Sequence, residues 1–165
     1  MKVNNYKIAP SVDLTSAFLS RANLSDASLW NANLSSANLK DADLTCADLF
    51  CAEMVETNLS NANLWNANLT AANLVRANLS GADLTGANLW YADLSGANLS
   101  EANLMGANLW EANLTGADLS GANLTGTNLF EANLTDADLS NTNLKGTNLF
   151  GSNLMGAKMP DLSAR

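Results

Sequence analysis

The sequence contains no histidine, and this absence removes several kinds of chemistry. Histidine is the most frequent general base and metal ligand, and it activates the nucleophile in Ser/His and Cys/His pairs. An enzyme built from this chain would have to work with carboxylates alone. We therefore expect a protein that is not an enzyme and that has no catalytic residue, no cofactor and no metal site.

Cysteine is scarce, since Cys46 and Cys51 are the only two in 165 residues. Two cysteines five residues apart provide neither a disulfide framework nor the four ligands of a structural zinc site, so we expect reduced thiols. No apolar run is long enough to span a membrane. The first dozen residues also lack the apolar stretch of a signal peptide. These absences favour a cytoplasmic protein without a membrane partner.

Positive charge is missing from the middle of the chain, where no Lys or Arg occurs between Ala77 and Asn143. That segment contains eight acids and accounts for the whole net charge of −8: Asp83, Asp93, Glu101, Glu111, Asp118, Glu131, Asp136 and Asp138. Nucleic-acid binding needs clustered Lys and Arg to neutralise phosphates. We therefore expect no direct contact with nucleic acid.

What the sequence does contain is a five-residue repeat of the form Ala-Asx-Leu-x-x, which runs without insertion over residues 12–161. Of its 30 units, 28 have Leu at the third place, 24 have Ala at the first and 26 have Asn or Asp at the second. Residues 1–11 precede the array and are predicted to cap its first coil, and residues 162–165 form a short tail.

A period of five fits neither a helix nor a straight strand, so the chain must turn once in each unit. Ala and Leu are two residues apart and point inward together, which leaves the Asx between them outside. All ten glycines, from Gly81 to Gly156, occupy the fifth place, where a type II turn requires positive φ. We therefore expect type II corners in the later coils and other turn geometries before Gly81.

Large aromatic residues at the fourth place show how many sides each coil has. Six of the seven are separated by 20 residues or a multiple of 20, namely Trp30, Phe50, Trp90, Trp110, Phe130 and Phe150. A recurrence of 20 means four units per coil, so 30 units make 7.5 coils, about 36 Å of stacked parallel strands at about 4.8 Å per coil. The sequence predicts an all-β, four-sided parallel β-helix.

Units such as Ala22-Asn23-Leu24 and Ala82-Asp83-Leu84 resemble the pentapeptide-repeat family, and above all its cyanobacterial members. The resemblance covers about nine tenths of the chain and implies a right-handed quadrilateral β-helix. It also raises an alternative function, because the quinolone-resistance members mimic DNA and occupy the DNA site of gyrase. Those members tend to have Phe at the centre and projecting loops, whereas this sequence has Leu at the centre and no insertion.

The leading functional hypothesis is a scaffold that binds a protein of unknown identity, and the alternative is a DNA mimic that modulates or inhibits gyrase. The aromatic column predicts the binding surface, with Tyr91, Glu111 and Glu131 as its polar rim. Stacking that merely stabilises neighbouring coils is the other interpretation of the column. A homodimer through this face or through a rod end is a further possibility.

Overall fold

The computed structural model describes residues 2–161, which form a rod of stacked coils. Parallel bridges join second-place residues that are twenty apart, from Asp13–Asn33 to Asp138–Lys158. No helix occurs in this range, and its regular strands are β1 (Lys2–Val3) and β2 (Tyr6–Lys7), an antiparallel pair. The twenty-residue pairing confirms the predicted four-sided coil. Met1 of the predicted cap and the predicted tail at 162–165 lie outside the described residues.

Each side of the rod is one column of units, and the four columns are numbered here in chain order. Face 1 begins with residues 12–16, face 2 with 17–21, face 3 with 22–26 and face 4 with 27–31. Every face then continues at intervals of twenty residues, as the bridges show. Side chains at equivalent places therefore stand in rows along the rod, about 4.8 Å apart.

The inside of the rod is filled by the first-place and third-place side chains, as the sequence predicts. From Leu19 to Leu139, every third-place side chain is at most 1% exposed. Burying a leucine side chain contributes about 1.5 to 3 kcal/mol, so this column supplies much of the driving force for folding. Where threonine replaces alanine, at Thr57 and Thr127, its hydroxyl donates to the carbonyl of Leu34 or Leu104 at 2.7 Å.

Backbone hydrogen bonds between coils use three of the five N–H groups of each unit. In the unit at 77–81, the N–H groups of Leu79 and Gly81 donate to the following coil at 2.7 and 2.9 Å, and that of Asn78 donates to the preceding coil at 2.9 Å. The first-place N–H of Ala77 closes the previous corner by donating to a leucine carbonyl at 2.9 Å. The fourth-place N–H is left without a backbone acceptor.

The second-place Asx side chain accepts this remaining hydrogen bond. Asn78 Oδ1 accepts from the N–H of Ser80 at 3.1 Å, and the same bond recurs along all four faces. An Asx side chain that bonds the backbone two residues on is a standard turn motif. The last unit has Lys158 at the second place and Pro160 at the fourth, where no N–H needs an acceptor. The repeat favours Asx because its side chain pairs this donor, although the three other units without Asx lack the bond: those with Phe18, Ser28 and Glu53 at the second place.

The corners do not follow the sequence expectation. Every fifth-place residue from Ser16 to Gly156 has positive φ, between 52° and 74°, so positive φ is as regular before Gly81 as after it. Each corner also has a hydrogen bond from an N–H to the carbonyl three residues earlier, such as the bond from the Ala17 N–H to the Leu14 carbonyl at 3.0 Å. Together these are the signature of a type II turn. The prediction of a different geometry in the early coils is wrong.

The reason is that the corner conformation is imposed by the stack. From Ser16 to Asp136, the N–H of each corner donates to a carbonyl of the following coil, and this bond is the same at Arg76 as at Gly81. The last corners, from Asn141 onward, keep the same conformation. A side chain with a Cβ then adopts the left-handed conformation at a cost of about 1 to 2 kcal/mol. Glycine relieves that cost and also saves space, because a Cβ at Gly81 would lie 2.6 Å from Asn61 Oδ1.

The two ends of the rod differ. The β1–β2 hairpin turns at Asn4 and Asn5, whose φ values of 49° and 69° match a type I′ turn. It places Ile8 in the core, 4% exposed, and Tyr6 Oη accepts a hydrogen bond from the Phe18 N–H at 3.2 Å. At the other end the last leucines, Leu144, Leu149 and Leu154, are only partly buried, and no described coil follows them.

Substitution of Asn78 tests the role of the Asx column. Asn78→Ala removes the acceptor of the Ser80 N–H and should destabilise the protein by about 1 to 2 kcal/mol, whereas Asn78→Asp retains the acceptor and should cost less than half of that. Denaturant unfolding followed by circular dichroism measures both variants. Equal destabilisation by the two substitutions would contradict this role.

Candidate protein-binding face

Face 4 carries the aromatic column at its fourth place, as the sequence predicts. The exposed fractions are 40% for Trp30, 42% for Phe50, 37% for Trp110 and 74% for Phe150. Trp90 and Phe130 are half-buried, and Thr70 interrupts the column between Phe50 and Trp90. The face therefore presents apolar rings along most of the length of the rod.

Ring contacts divide this column into two parts. From Trp90 onward the rings form a continuous chain, which we name the aromatic cluster: Trp90 and Trp110 stack at 5.3 Å, Trp110 meets Phe130 edge-on at 5.7 Å, and Phe130 stacks on Phe150 at 5.7 Å. In the described part of the chain no ring contact joins Trp30 to Phe50. Among the described residues, the ring contacts of this column therefore involve only Trp90 and the members after it.

The rim residues Tyr91 and Glu111 form a coupled pair. The Tyr91 ring stacks on Trp90 at 5.0 Å, and its hydroxyl donates to Glu111 Oε1 at 3.0 Å. This hydrogen bond to the carboxylate raises the pKa of Tyr91, and desolvation and the negative charges of Glu111 and Glu131 add to the effect. The sequence predicts all three as rim residues, but it does not indicate that Tyr91 fixes the position of Glu111.

A groove of about 260 Å³ lies beside the edge-on contact and is lined by Trp110, Phe130, Asn128 and Asn148. The two amides are largely occupied with each other and with the backbone. Asn148 Nδ2 donates to Asn128 Oδ1 at 3.0 Å, and the same oxygen accepts the Phe130 N–H at 3.2 Å. The groove therefore offers a mainly apolar surface with few free hydrogen-bonding atoms.

Trp90 has a different role from Trp110. Its indole N–H is buried and has no hydrogen-bond partner among residues 2–161, while its ring is packed against both Tyr91 and Trp110. An unpaired buried donor costs free energy that the surrounding packing must offset. Trp90 thus supports the cluster from within, and the more exposed Trp110 is better placed to contact another molecule.

Ion pairs occur on faces 1 and 2. Arg21 lies 3.7 Å from Asp41, Arg76 lies 2.9 Å from Glu56, and Lys158 lies 2.8 Å from Asp138. The last pair neutralises part of the stack of Asp118 over Asp138, and the hydrogen bond from Lys158 holds the pKa of Asp138 well below its usual range.

The described residues contain no cluster of metal-ligating side chains. Both cysteines are free, with Cys46 exposed and Cys51 half-buried. Among residues 2–161 no three Cys, Asp or Glu side chains come together as metal ligands. The same range contains no helix that could cross a lipid bilayer.

Comparison with known proteins agrees with this architecture. The profile of the family described as Pentapeptide repeats matches eight copies, at residues 12–50, 52–90, 92–129 and 127–161. The chain belongs to the pentapeptide-repeat family. Its fold is accordingly the right-handed quadrilateral β-helix expected from the resemblance. No curated protein matches the sequence.

Two cyanobacterial structures are similar to this pentapeptide-repeat protein. HetL from Nostoc sp. strain PCC 7120, a protein involved in the regulation of heterocyst differentiation, is 41% identical; the match covers 93% of this chain and 78% of HetL, with a TM-score of 0.61. Rfr23 from Cyanothece 51142 is 45% identical over 56% of this chain and 63% of Rfr23, with a TM-score of 0.54. The cyanobacterial resemblance seen in the sequence is confirmed.

The Tyr91–Glu111 hydrogen bond predicts how the phenol titrates. Because Glu111 stabilises the protonated phenol, Tyr91 should ionise above its ordinary pKa of 10.0, and Glu111→Gln should lower that pKa. The stabilisation is present below pH 10 and is lost as pH rises through the raised pKa. Absorbance titration of the phenolate checks this, with Glu101→Gln as the control that should leave the curve unchanged. An unaltered curve in Glu111→Gln would contradict the coupling.

Proposed function

We propose that this pentapeptide-repeat protein is a non-catalytic scaffold that binds a protein partner through the aromatic cluster of face 4. The proposal rests on a row of aromatic rings that contact one another. Two of these rings, those of Trp110 and Phe150, are exposed, and an apolar groove lies beside the row. Exposed aromatic rows of this kind are typical of interaction surfaces, where Trp and Tyr dominate the binding energy.

The rod also suits binding because it is rigid. Each described inner coil is bonded to both neighbours through its backbone, and the second-place amides add bonds such as Asn128 Nδ2 to Asn108 Oδ1 at 3.0 Å. Side chains on such a frame are already ordered, so a partner pays little additional conformational entropy. The similarity to HetL, a protein involved in the regulation of heterocyst differentiation, supports the proposal, because contact with another macromolecule is one way to regulate. The free cysteines favour a cytoplasmic location.

Affinity capture from cells of the source organism tests the proposal. The double variant Trp110→Ser/Phe130→Ser removes the edge-on pair and the groove, and it should lose the partner that the wild-type protein retains. Trp65→Ser is the matched control, because Trp65 is 45% exposed on face 3 and lies outside the cluster. This control should retain the partner.

Thermal unfolding must show that both variants are folded before the captured proteins are compared. The two substituted side chains point away from the core, so we expect only the loss of ring contacts, about 0.5 to 1.5 kcal/mol for each pair. Capture of the same partners by the wild-type protein and by both variants would contradict the assignment of face 4 as the binding surface.

One observation favours a second candidate function, the DNA mimic. The eight acids from Asp83 to Asp138 span 55 residues, which is 2.75 coils or about 13 Å of rod, so one negative charge occurs per about 1.7 Å of axis. Duplex DNA has about the same linear charge density. Against this candidate, the eight acids are distributed over all four faces, and Asp138 is paired with Lys158.

A supercoiling assay with DNA gyrase tests this second candidate. A DNA mimic should reduce supercoiling in proportion to its concentration, and the effect should weaken when salt is raised, because it depends on charge. Replacing Asp83, Asp93 and Asp118 together by Asn keeps the acceptors of the Asx column and should abolish the effect. Normal supercoiling at every protein concentration would exclude the mimic.

A further inference from the structure

Face 4 is the only face of the repeat array without a lysine or arginine. Face 1 contains Arg76, face 2 contains Arg21, Lys40 and Lys158, and face 3 contains Lys145. Face 4 instead carries Asp48, Glu111 and Glu131. Its exposed surface therefore combines aromatic rings with negative charge, and no basic residue of the array lies on that surface to neutralise it.

Two of these carboxylates stand together at the corner beside the aromatic cluster. Glu111 and Glu131 occupy equivalent corners one coil apart, about 4.8 Å along the rod. Among residues 2–161 neither forms a salt bridge, unlike the acids paired on faces 1 and 2. Two neighbouring like charges repel each other, and a cation placed between them would remove that cost.

One carboxylate of the pair is held in position, and the other is given space. Tyr91 donates to Glu111 Oε1 at 3.0 Å, which leaves Oε2 free. Glu131 lies over Gly151, where an added Cβ would meet Glu131 Cγ at 2.9 Å, so the missing side chain gives the carboxylate its space. Both carboxylates thus flank the same stretch of the rod as Trp110 and Phe130.

We infer that the partner recognised by face 4 inserts an arginine side chain against Trp110 and Phe130 and pairs its guanidinium with Glu111 and Glu131. This inference rests on the proposed function, which it deepens by giving the chemistry of the partner. A guanidinium is planar, stacks on aromatic rings and donates several hydrogen bonds to carboxylates. The groove supplies the ring surface, and the corner supplies the acceptors.

Charge complementarity and ring stacking favour an arginine of the partner over two other candidates, a second copy of this chain and a lysine. A second copy meeting face 4 with its own face 4 would bring Glu111 and Glu131 against like charges, which disfavours a symmetric dimer here. A lysine would satisfy the carboxylates but would not stack, because its ammonium is compact and strongly hydrated. A partner segment rich in arginine therefore fits the face better than either.

Fluorescence anisotropy with labelled hexa-arginine and hexa-lysine peptides provides the test, at about 0.1 M salt so that distant charges are largely screened. The wild-type protein should bind the arginine peptide about threefold more tightly than the lysine peptide, which corresponds to a cation–π contact. Trp110→Ser should reduce that ratio to about one. Glu111→Gln/Glu131→Gln should weaken arginine-peptide binding about fivefold or more.

The control is Glu101→Gln/Asp136→Asn, which removes the same charge from corners of faces 2 and 1. It should weaken binding by less than about twofold, since those carboxylates lie on other corners, away from Trp110 and Phe130. Equal loss in the control, or equal affinity for the two peptides, would show attraction by net charge alone and would overturn the inference. A wild-type dimer abolished by Glu111→Gln/Glu131→Gln in sedimentation would replace the arginine partner with a second copy.

The capture experiment distinguishes failure of this inference from failure of the proposed function. If Glu111→Gln/Glu131→Gln captures the same partner as the wild-type protein while Trp110→Ser/Phe130→Ser loses it, face 4 remains the binding surface and the arginine is wrong. If the aromatic double variant also keeps the partner, the proposed function itself is wrong.

Discussion

Pairing of the backbone between coils is the constraint on which the rest of this rod depends. Three N–H groups of each unit bond to the coils before and after, a fourth closes the corner, and the fifth has only the Asx side chain to accept it. Because pairing this donor is favourable, 26 of the 30 units have Asn or Asp at the second place for a backbone reason. The first and third places are fixed by the core. The fourth and fifth places are the ones left free to vary, so we expect the residues that contact another molecule to lie at these two places.

The same constraint explains what sequence reasoning could and could not predict about the fold. The period of five and the recurrence of the aromatics at twenty gave the number of sides and the inner columns, because burial follows directly from spacing. The sequence prediction fails at the corners because positive φ there does not require glycine. Residues such as Ala71 and Arg76 adopt it as well, since about 1 to 2 kcal/mol per corner is small beside the bonds and burial gained in each coil.

The candidate site shows a similar division. The fourth place of the unit predicts an outward-pointing row of rings. The structure brings three of these rings together, namely Trp110, Phe130 and Phe150. Other features of the site depend on side-chain rotamers. They are the edge-on contact between the Trp110 and Phe130 rings, the groove beside it, and the hydrogen bond from Tyr91 to Glu111. Rotamers are chosen by packing among neighbours in space, which a five-residue pattern does not encode.

Whether the aromatic cluster merely stabilises the stack can be judged from its composition. Three ring contacts at about 0.5 to 1.5 kcal/mol each would stabilise the later coils appreciably, and a purely structural ladder would need nothing more. Such a ladder gives no reason for face 4 alone to lack lysine and arginine, because aliphatic stems of basic side chains cover aromatic rings well. Nor does it account for two carboxylates that stand beside the exposed rings without a salt bridge to any residue in 2–161. A surface that attracts a cation from another molecule accounts for both features, since a basic residue of the rod itself would occupy the same position first.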